Sequence, residues 1–254
     1  MESKITLAPV PPSDYLTVAH LMNVAFGHEE FGIVAFGPER NSEAAIQSQA
    51  KSLDKAPHAG ETNRYVKAIT TLPDGKEEIV GFANWTICVG RTGSEEEKVR
   101  LGTREGWAQE EREKGEKEHR VAEGKETEED KPMFGPGGTH GNRKLWADAF
   151  IVGDEHQARS TGGKDYLKLS TLVVSPDYQR RGIGALLIED GLKVADEAGL
   201  QAVLGASDQG IGLYKKHGFG EDVVVDLKLW EYEGGEGLGV TRHVYMHRPA
   251  VVKG

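Results

Sequence analysis

One stretch of the sequence decides the fold: Leu172-Val173-Val174-Ser175-Pro176-Asp177-Tyr178-Gln179-Arg180-Arg181-Gly182-Ile183-Gly184. Its first three residues are continuously apolar and end a predicted strand over residues 166–174, which indicates that this strand is buried on both faces. A turn follows, and residues 183–198 are predicted to form an amphipathic helix that ends at Gly199. The second half of the stretch therefore lies between a buried strand and the N-terminus of a helix.

That helix N-terminus is a predicted anion-binding site. The first turn of a helix has unpaired N–H groups and a partial positive charge, which together suit a phosphate or pyrophosphate. Gly182 and Gly184 remove side chains that would block the ligand, and Arg180 and Arg181 add positive charge to an acidic protein. The third glycine of the dinucleotide-binding fingerprint is absent, because Leu187 takes its place. The stretch is thus either a phosphate loop of another kind or only the start of a helix.

Two segments of the chain resemble a known family. The stretch from Leu172 to Gly184 is similar to the acetyl-CoA signature of the GNAT superfamily of N-acetyltransferases, whose core pattern is Q/R-x-x-G-x-G/A. A second family segment follows at the usual distance, namely Ala206-Ser207 and then Leu213-Tyr214-Lys215-Lys216-His217-Gly218-Phe219. With its long loop before the signature strand, the chain most resembles fungal members of the family whose substrates are unassigned.

The resemblance implies an α/β (α+β) fold. The family has a central mixed, mostly antiparallel sheet of six to seven strands with flanking helices, in which the fourth and fifth strands splay apart to hold CoA. The order of elements predicted from this sequence agrees: β-α-α-β-β, an insertion, then α-β-α-β-α-β-β. We expect a single domain over residues 1–254, with a charged insertion at about residues 93–131.

The resemblance also implies which residues bind the cofactor. Backbone groups of Leu172, Val173 and Val174 would pair with the pantetheine arm of acetyl-CoA in the manner of an added strand. The segment that starts at Gln179 would hold the pyrophosphate, through the N–H groups of Arg180, Arg181, Gly182, Ile183, Gly184 and Ala185. Ser207 stands where many members have an asparagine that contacts the cofactor. No metal is expected.

Tyr214 occupies the usual general-acid position of the family. Transfer of an acyl group to an amine expels a thiolate, which needs a proton, and a phenol with a pKa near 10 is still protonated at neutral pH. If the thiol has a pKa of about 8.5, this proton transfer is uphill by about 2 kcal/mol, which the site must offset by positioning. The alternative is that Tyr214 is a half-buried helix aromatic that packs on the sheet.

The general base is harder to assign. A lysine-like amine with a pKa of about 10.4 must lose a proton before it attacks, at a cost of about 4–5 kcal/mol at pH 7. Many relatives have a glutamate at the position of Gly205, just before Ala206, so this chain departs from the family pattern. The base is then a water chain or another residue, with His140, Asp148 and Asp208 as candidates.

Charge and composition argue against several classes of protein. The formal net charge is −10, and residues 95–131 hold 14 acidic and 9 basic side chains, which is half of that net charge. This segment is predicted to be a solvated or disordered insertion, with a docking or regulatory role as the alternative. The acidic balance argues against nucleic acid as a partner, and the single cysteine, Cys88, excludes an intrachain disulfide.

The sequence also suggests a compartment. No apolar run approaches the length of a membrane span, and the first residues do not resemble a signal peptide. We therefore expect a cytoplasmic protein, with the nucleus as the alternative, that has no membrane partner and is a monomer or a homodimer.

The acceptor is expected at residues 26–37 and 230–239, which correspond to the usual acceptor-binding loops of the family. These segments contain aromatic and acidic residues, namely Phe31, Phe36, Trp230, Tyr232, Glu29, Glu30, Glu231, Glu233 and Glu236. Such a rim would suit a cationic amine, but carboxylates are common throughout this acidic chain. The expected function is acetyl-CoA-dependent N-acetylation of a primary amine on a small molecule. The alternatives are an acetyltransferase of protein N-termini or lysines, and a non-catalytic CoA-binding interaction module.

Overall fold

A computed structural model of the protein describes residues 4–26, 29–57, 60–90, 142–151, 153, 156–157 and 160–251. The charged insertion predicted at residues 93–131, and His140 among the candidate bases, lie outside these residues. Within the described ranges, each helix is too short or too polar to cross a membrane.

Seven strands in the described part of the chain form one sheet: β1 (Thr6–Pro9), β2 (Glu61–Thr71), β3 (Glu77–Cys88), β4 (Tyr166–Val174), β5 (Gln201–Ser207), β6 (Gly220–Lys228) and β7 (Val240–Arg248). The flanking helices are α1 (Tyr15–Phe26), α2 (Glu30–Phe36), α3 (Glu43–Leu53), α4 (Arg143–Trp146), α5 (Ile183–Ala198) and α6 (Asp208–Lys216). Helix α4 continues as a π-helical turn over Ala147–Ile151. The predicted α/β architecture is confirmed.

The strands lie in the order β1-β2-β3-β4-β5-β7-β6. β4 and β5 run parallel, and every other neighbouring pair is antiparallel. β3 and β4 are paired from the position where Cys88 lies opposite Tyr166, and the Gly90 N–H donates to Asp165 Oδ1 at 2.8 Å just beyond it. The chain therefore leaves the sheet after β3 and returns to the same point at the start of β4. The mixed, mostly antiparallel sheet agrees with the prediction.

A β-bulge divides β4 into two halves. Trp85 of β3 lies opposite Leu169, and its neighbour Asn84 lies opposite Thr171, so Ser170 is the extra residue. A bulge bends its strand, increases the local twist and shifts the later side chains by one residue relative to the pleat. The second half of β4 therefore takes a different direction from the first.

β4 and β5 separate at this bulge. Their pairing ends where Leu169 lies opposite Leu204. β4 then continues to Val174 along β3, whereas β5 continues to Ser207 along β7. The predicted splay of the fourth and fifth strands is confirmed, and it leaves a cleft that is bordered by one unpaired edge of each strand.

Apolar cores cover both faces of the sheet. On one face α5 packs against Trp85 of β3 and Leu167 of β4. Gly191 of α5 lies directly on the Trp85 indole, because an added Cβ would be 2.1 Å from a carbon of that ring. On the other face α1 and α3 pack over Phe82 and Val173. Leu167 and Val173 both have odd residue numbers, so their side chains would lie on the same face of a regular strand. They enter opposite cores because the bulge lies between them.

The predicted loop at residues 26–37 is wrong in its centre, because Glu30–Phe36 forms helix α2. Gly32 lies inside this helix, where an added Cβ would be 2.7 Å from the carbonyl oxygen of Phe26. The close approach of α1 thus favours glycine at this position. Because glycine has a low helix propensity, the sequence pattern did not predict a helix here. Gly37 ends α2 with φ 71°.

The sequence predicts a helix over residues 145–152 with an apolar side that includes Leu145, Ala149 and Phe150, and the structure has α4 and the π-helical turn here. Leu145 and Ala149 are fully buried. Phe150 is 36 % exposed and contacts the ring of His243 in β7. The π turn has a wider period than an α-helix, so an α-helical pattern does not describe its side chains.

Candidate active site

The signature stretch places backbone N–H groups in front of α5. Gly182 is the N-cap of this helix and has a left-handed backbone with φ 81°. An added Cβ at Gly182 would meet no atom within 4 Å, so glycine is needed here for the backbone conformation and for open space before the helix. The N–H groups of an N-cap and a first helical turn have no carbonyl partner within the helix. This loop can therefore bind an anion.

Arg180 also has a left-handed backbone, with φ 62°, which no other non-glycine residue in the described ranges shows. This conformation costs an L-residue about 1–2 kcal/mol, so the surrounding contacts must hold it. Two hydrogen bonds flank it. Gln179 Nε2 donates to the Val174 carbonyl at 3.2 Å, and Arg181 Nη2 donates to the Asp177 carbonyl at 2.9 Å.

Tyr178 ties the loop to the β2–β3 hairpin. Its hydroxyl donates to Glu78 Oε2 at 2.7 Å, and the Arg181 guanidinium lies over its ring, 5.1 Å from the centroid. The hydrogen bond to Glu78 raises the pKa of Tyr178. This contact could not be predicted from local sequence, because Tyr178 and Glu78 are 100 residues apart. The anion-binding loop thus depends on a hairpin that is far away in the chain.

The loop lies beside the cleft between β4 and β5. An added Cβ at Gly184, in the first turn of α5, would be 3.1 Å from Leu213 of α6 and 4.0 Å from both Leu172 and Val174 of β4. Gly184 therefore keeps space where α5, α6 and the end of β4 meet. The predicted pantetheine edge of Leu172, Val173 and Val174 and the predicted pyrophosphate loop are adjacent, although the Val174 carbonyl already accepts a hydrogen bond from Gln179. Their contacts with a cofactor stay predictions.

Tyr214 of α6 packs into the core beside Leu204 and Ala206 of β5. Its ring is edge-on to Phe219 with centroids 6.1 Å apart, and the residue is only 7 % exposed. Burial raises the pKa of Tyr214 to about 12. The phenol is therefore neutral at pH 7, and its hydroxyl has no hydrogen-bond partner among the described residues. This geometry agrees with both roles that were considered for Tyr214. The ring packs on the sheet, as a core aromatic does, and the hydroxyl keeps its proton, as a general acid must.

The end of β5 borders the cleft with small residues. Ser207 is the N-cap of α6, but its hydroxyl makes no capping hydrogen bond. Gly205 lies opposite Tyr245 of β7, and an added Cβ would be 3.4 Å from the Tyr245 ring, with no other residue within 4 Å. At the position where many members of the family have a glutamate, this chain therefore has no side chain.

The structure describes two of the candidate bases. Asp148 accepts hydrogen bonds from Lys144 Nζ at 2.7 Å and from the Tyr232 hydroxyl at 2.8 Å, so its carboxylate is already occupied. Asp208 is the exposed first residue of α6. A role as base for either residue stays a prediction.

Comparisons with known proteins agree with this geometry. Residues 143–221, which contain the signature stretch and Tyr214, match the family model described as acetyltransferase (GNAT) domain. Residues 143–221 therefore belong to a GNAT acetyltransferase domain. A comparison with curated protein sequences finds no match.

Several solved structures resemble this chain over almost its whole length. Arylalkylamine N-acetyltransferase 2 from Aedes aegypti is similar with a TM-score of 0.55 and 16 % identity, over 97 % of this chain and 99 % of its own. A Corynebacterium glutamicum protein described as histone acetyltransferase HPA2 and related acetyltransferase has a TM-score of 0.50 and 16 % identity, over 98 % of both chains. Arabidopsis thaliana NAA60, in complex with a bisubstrate analogue, has a TM-score of 0.50 and 14 % identity, over 96 % of this chain and 97 % of its own. At such identities the likeness shows the fold alone.

The face of the sheet opposite α5 and α6 carries an aromatic cluster, of which only Phe31 was among the expected acceptor-site residues. The rings of Phe31 (α2) and Phe150 (π turn) both contact the imidazole of His243 (β7), with centroid distances of 4.7 and 5.9 Å, and they contact each other at 5.9 Å. Removal from water lowers the pKa of His243 to about 4. Because His243 lies between Arg242 and Val244 in β7, the sequence indicated only a polar position on a strand.

The two predicted acceptor segments meet on this face of the GNAT domain. The Gly239 N–H donates to Glu30 Oε2 at 3.3 Å, and Asn142 Nδ2 donates to the Glu233 carbonyl at 3.1 Å. Burial raises the pKa of Glu29 at the start of α2. Burial and the hydrogen bond to Asp148 raise the pKa of Tyr232. The aromatic and acidic rim expected from the sequence is therefore brought together in space.

Two glycines of α6 form a matched pair for testing the packing of Tyr214. An added Cβ at Gly210 would be 2.7 Å from the Tyr214 ring, whereas one at Gly212 would meet no atom within 4 Å. Gly212→Ala is expected to stabilise the domain by up to about 1 kcal/mol through helix propensity. Gly210→Ala is expected to destabilise it by about 1–3 kcal/mol through overpacking. Urea unfolding measures both, and equal gains would contradict the described packing.

The buried imidazole predicts an acid-dependent loss of stability. The unfolded chain protonates His243 below pH 6.5, but the native domain does so only near pH 4, so this contribution to stability is complete above pH 6.5 and is lost as the pH falls toward 4. Between pH 7 and pH 5 the wild type is expected to lose about 2 kcal/mol more than His243→Gln. Urea unfolding at the two pH values measures this difference. Equal losses in the two proteins would show that the ring is solvated.

Proposed function

We propose that the protein is an acetyl-CoA-dependent N-acetyltransferase that acetylates a primary amine on a small molecule. One observation carries the proposal: the cleft between β4 and β5 opens directly beside the anion-binding loop of α5. Acetyl-CoA needs these two features side by side, because its pantetheine arm is an extended amide chain and is attached to a pyrophosphate. An isolated helix N-terminus would bind an anion without a strand edge to receive the arm.

The residues at the cleft fit this cofactor. The N–H groups from Gly182 to Ala185 would bind the pyrophosphate, with Arg180 and Arg181 supplying positive charge. The unpaired edge of β4 beyond Leu169 offers backbone groups to the amides of the arm. Bound acetyl-CoA would supply a thioester, whose carbonyl carbon is open to attack by an amine.

Tyr214 is the residue that we assign to protonate the departing thiolate. Its neutral form is secure, because burial raises its pKa to about 12. The same shift makes the phenol a weaker acid, so proton transfer to a thiolate with a pKa of about 8.5 is uphill by about 5 kcal/mol. The thiolate must therefore be destabilised to a similar extent in the same apolar surroundings, since burial also raises the pKa of a thiol.

The acceptor face favours a small amine. Hydrogen bonds from Gly239 to Glu30 and from Asn142 to Glu233 join α2, α4 and the β6–β7 connection across this face, where an extended peptide would need an open groove. The likeness to an arylalkylamine N-acetyltransferase is in line with this preference. A protein acetyltransferase is the second candidate, because the fold is also similar to that of NAA60, whose structure contains a bisubstrate analogue.

Two glycines at opposite ends of α5 test cofactor binding. Gly182 and Gly199 both have left-handed backbones, and an added Cβ meets no atom within 4 Å at either position. Gly182→Glu is expected to abolish the rise in melting temperature that acetyl-CoA causes, because a carboxylate would occupy the pyrophosphate position. Gly199→Glu carries similar backbone strain at the far end of the helix and should keep the rise. If Gly182→Glu keeps it too, the cofactor binds elsewhere, and a wild type that shows no rise argues against every cofactor-dependent function.

The catalytic assignment of Tyr214 is tested by removing one oxygen atom. Tyr214→Phe is expected to lower the rate of thiol release by about 100-fold, while the affinity for acetyl-CoA stays close to that of the wild type. Tyr65→Phe, which removes a partly buried hydroxyl on β2, is the control and should keep the wild-type rate. A rate of thiol release that is unchanged in Tyr214→Phe would leave the ring with a packing role only.

A further inference from the structure

The missing glutamate at Gly205 raises the question of which group receives the proton that the amine loses. Directly opposite residues of an antiparallel pair present their side chains on the same face of the sheet. His243 lies opposite Ser207, and Tyr245 lies opposite Gly205, so the His243 side chain stands on the face of β5 to which the family glutamate would belong. Neighbouring strands are about 4.8 Å apart, so His243 is only one strand further from the cleft than Ser207.

β5 carries no side chain at Gly205, on the face of the sheet where His243 lies. An added Cβ there would meet only the Tyr245 ring of β7 within 4 Å, so within that distance no other group occupies the space beside the cleft. Among the described residues, the two imidazole nitrogens of His243 have no hydrogen-bond partner. By contrast, the ring of His247, four residues further along β7 on the same face, is engaged by Gln201 at 2.8 Å. His243 thus has hydrogen-bonding capacity that the fold does not use.

The surroundings of His243 also determine which kind of amine can bind beside it. Phe31 and Phe150 enclose the imidazole from two different elements. The same removal from water that keeps the imidazole neutral disfavours an ammonium ion at this point. An amine at this position is therefore driven toward its neutral, nucleophilic form, and the rings offer contact area to the carbon skeleton that carries it.

We propose that His243 is the catalytic residue that accepts the proton of the acceptor, and that the acceptor is a primary amine on an aromatic or apolar skeleton that packs against Phe31 and Phe150. This inference rests on the proposed function. The amine nitrogen forms a bond to the acetyl carbon, the carbon–sulfur bond breaks, and the thiolate takes the proton of Tyr214. The nitrogen becomes positively charged as the new bond forms, and one of its protons passes to a neutral nitrogen of His243. Solvent then returns a proton to Tyr214 and removes one from His243, so that the products are an N-acetyl amine and a free thiol.

The order of these events follows from the basicity of the imidazole. With a pKa of about 4, His243 cannot take a proton from a free ammonium ion with a pKa near 10, because the difference corresponds to about 8 kcal/mol. The nitrogen is far more acidic once it is bonded to the acetyl carbon, so the transfer to His243 occurs after attack. His243 therefore acts on the amine as the amide forms and does not generate the free amine in solution.

A matched pair of histidine variants tests the proposal with 2-phenylethylamine as the acceptor. His243→Gln is expected to lower kcat/KM for this amine by about 100-fold, which is within the range for loss of a positioned proton acceptor. His247→Gln changes a histidine on the same face of the same strand that is already hydrogen-bonded, and it should stay near the wild-type value. Both variants should keep the rise in melting temperature with acetyl-CoA. A value of kcat/KM for His243→Gln near that of the wild type would overturn the role of His243.

A binding measurement on the wild type is independent of turnover and of how the variants fold. Imidazole ¹⁵N signals are recorded with CoA bound, and 2-phenylethylamine is then added. The His243 signals are expected to shift with the amine concentration, while those of His247 stay in place. If the His243 signals do not respond, the amine does not meet this side chain and the proposal is overturned.

Comparison of acceptors separates this inference from the proposed function. Transfer to 2-phenylethylamine well above that to spermidine and to a peptide with a free N-terminus supports the apolar acceptor class. Transfer to spermidine or the peptide but not to 2-phenylethylamine overturns that class and leaves the N-acetyltransferase function intact. If the wild type transfers acetyl to none of these amines and also shows no rise in melting temperature with acetyl-CoA, the proposed function itself is overturned.

Discussion

The cleft of this domain depends on one extra residue in β4. No residue of β3 lies directly opposite Ser170, so β4 bends there and gains twist. Parallel pairing with β5 cannot continue past this point, and it ends at Leu169 and Leu204. The edges beyond are held apart because each strand keeps its outer neighbour, β3 for β4 and β7 for β5. The cleft is therefore a consequence of backbone pairing and needs no bulky side chain to keep it open.

The groups around the cleft share one electrostatic property, which is that burial keeps them neutral. The pKa of Tyr214 is raised on one side of the sheet, and the pKa of His243 is lowered on the other. Arg180 and Arg181 place positive charge in an exposed loop, where an anionic ligand would meet it. The domain thus separates a charged region suited to phosphates from an apolar region suited to a proton transfer. Such a division is useful in a protein whose overall charge is strongly negative.

Local sequence was sufficient to predict the elements whose contacts lie within one short segment. The apolar triplet Leu172, Val173 and Val174, followed by a turn and an amphipathic helix, predicted β4 and α5 correctly, because each is specified by adjacent residues. The resemblance to a known family extended this to the splayed sheet and to the position of Tyr214. Helix α2 was not predicted, since the glycine inside it is explained only by the nearby end of α1.

The remaining features depend on residues that are distant in the chain. The hydrogen bond of Tyr178 to Glu78 joins segments that are 100 residues apart. His243 becomes distinctive only when β7 pairs with β5 and when Phe31 and Phe150, from two other segments, cover its ring. In the sequence it is one of several polar residues in a strand that also contains Thr241, Arg242 and His247. Environment, rather than residue type, thus decides its chemistry.

The pairing of Cys88 with Tyr166 has a consequence for how such chains vary in length. Everything between these two residues is, in topological terms, the connection of one β-hairpin, and its two ends are fixed side by side in the sheet. The entropy cost of closing a connection rises only with the logarithm of its length, so that doubling it costs about 0.6 kcal/mol. Outside α4 and the π-helical turn, residues can accordingly be gained or lost in this connection without a change in the register of β3 and β4. At this one point of the sheet the fold tolerates large differences in chain length, while a single added residue in β4 determines its architecture.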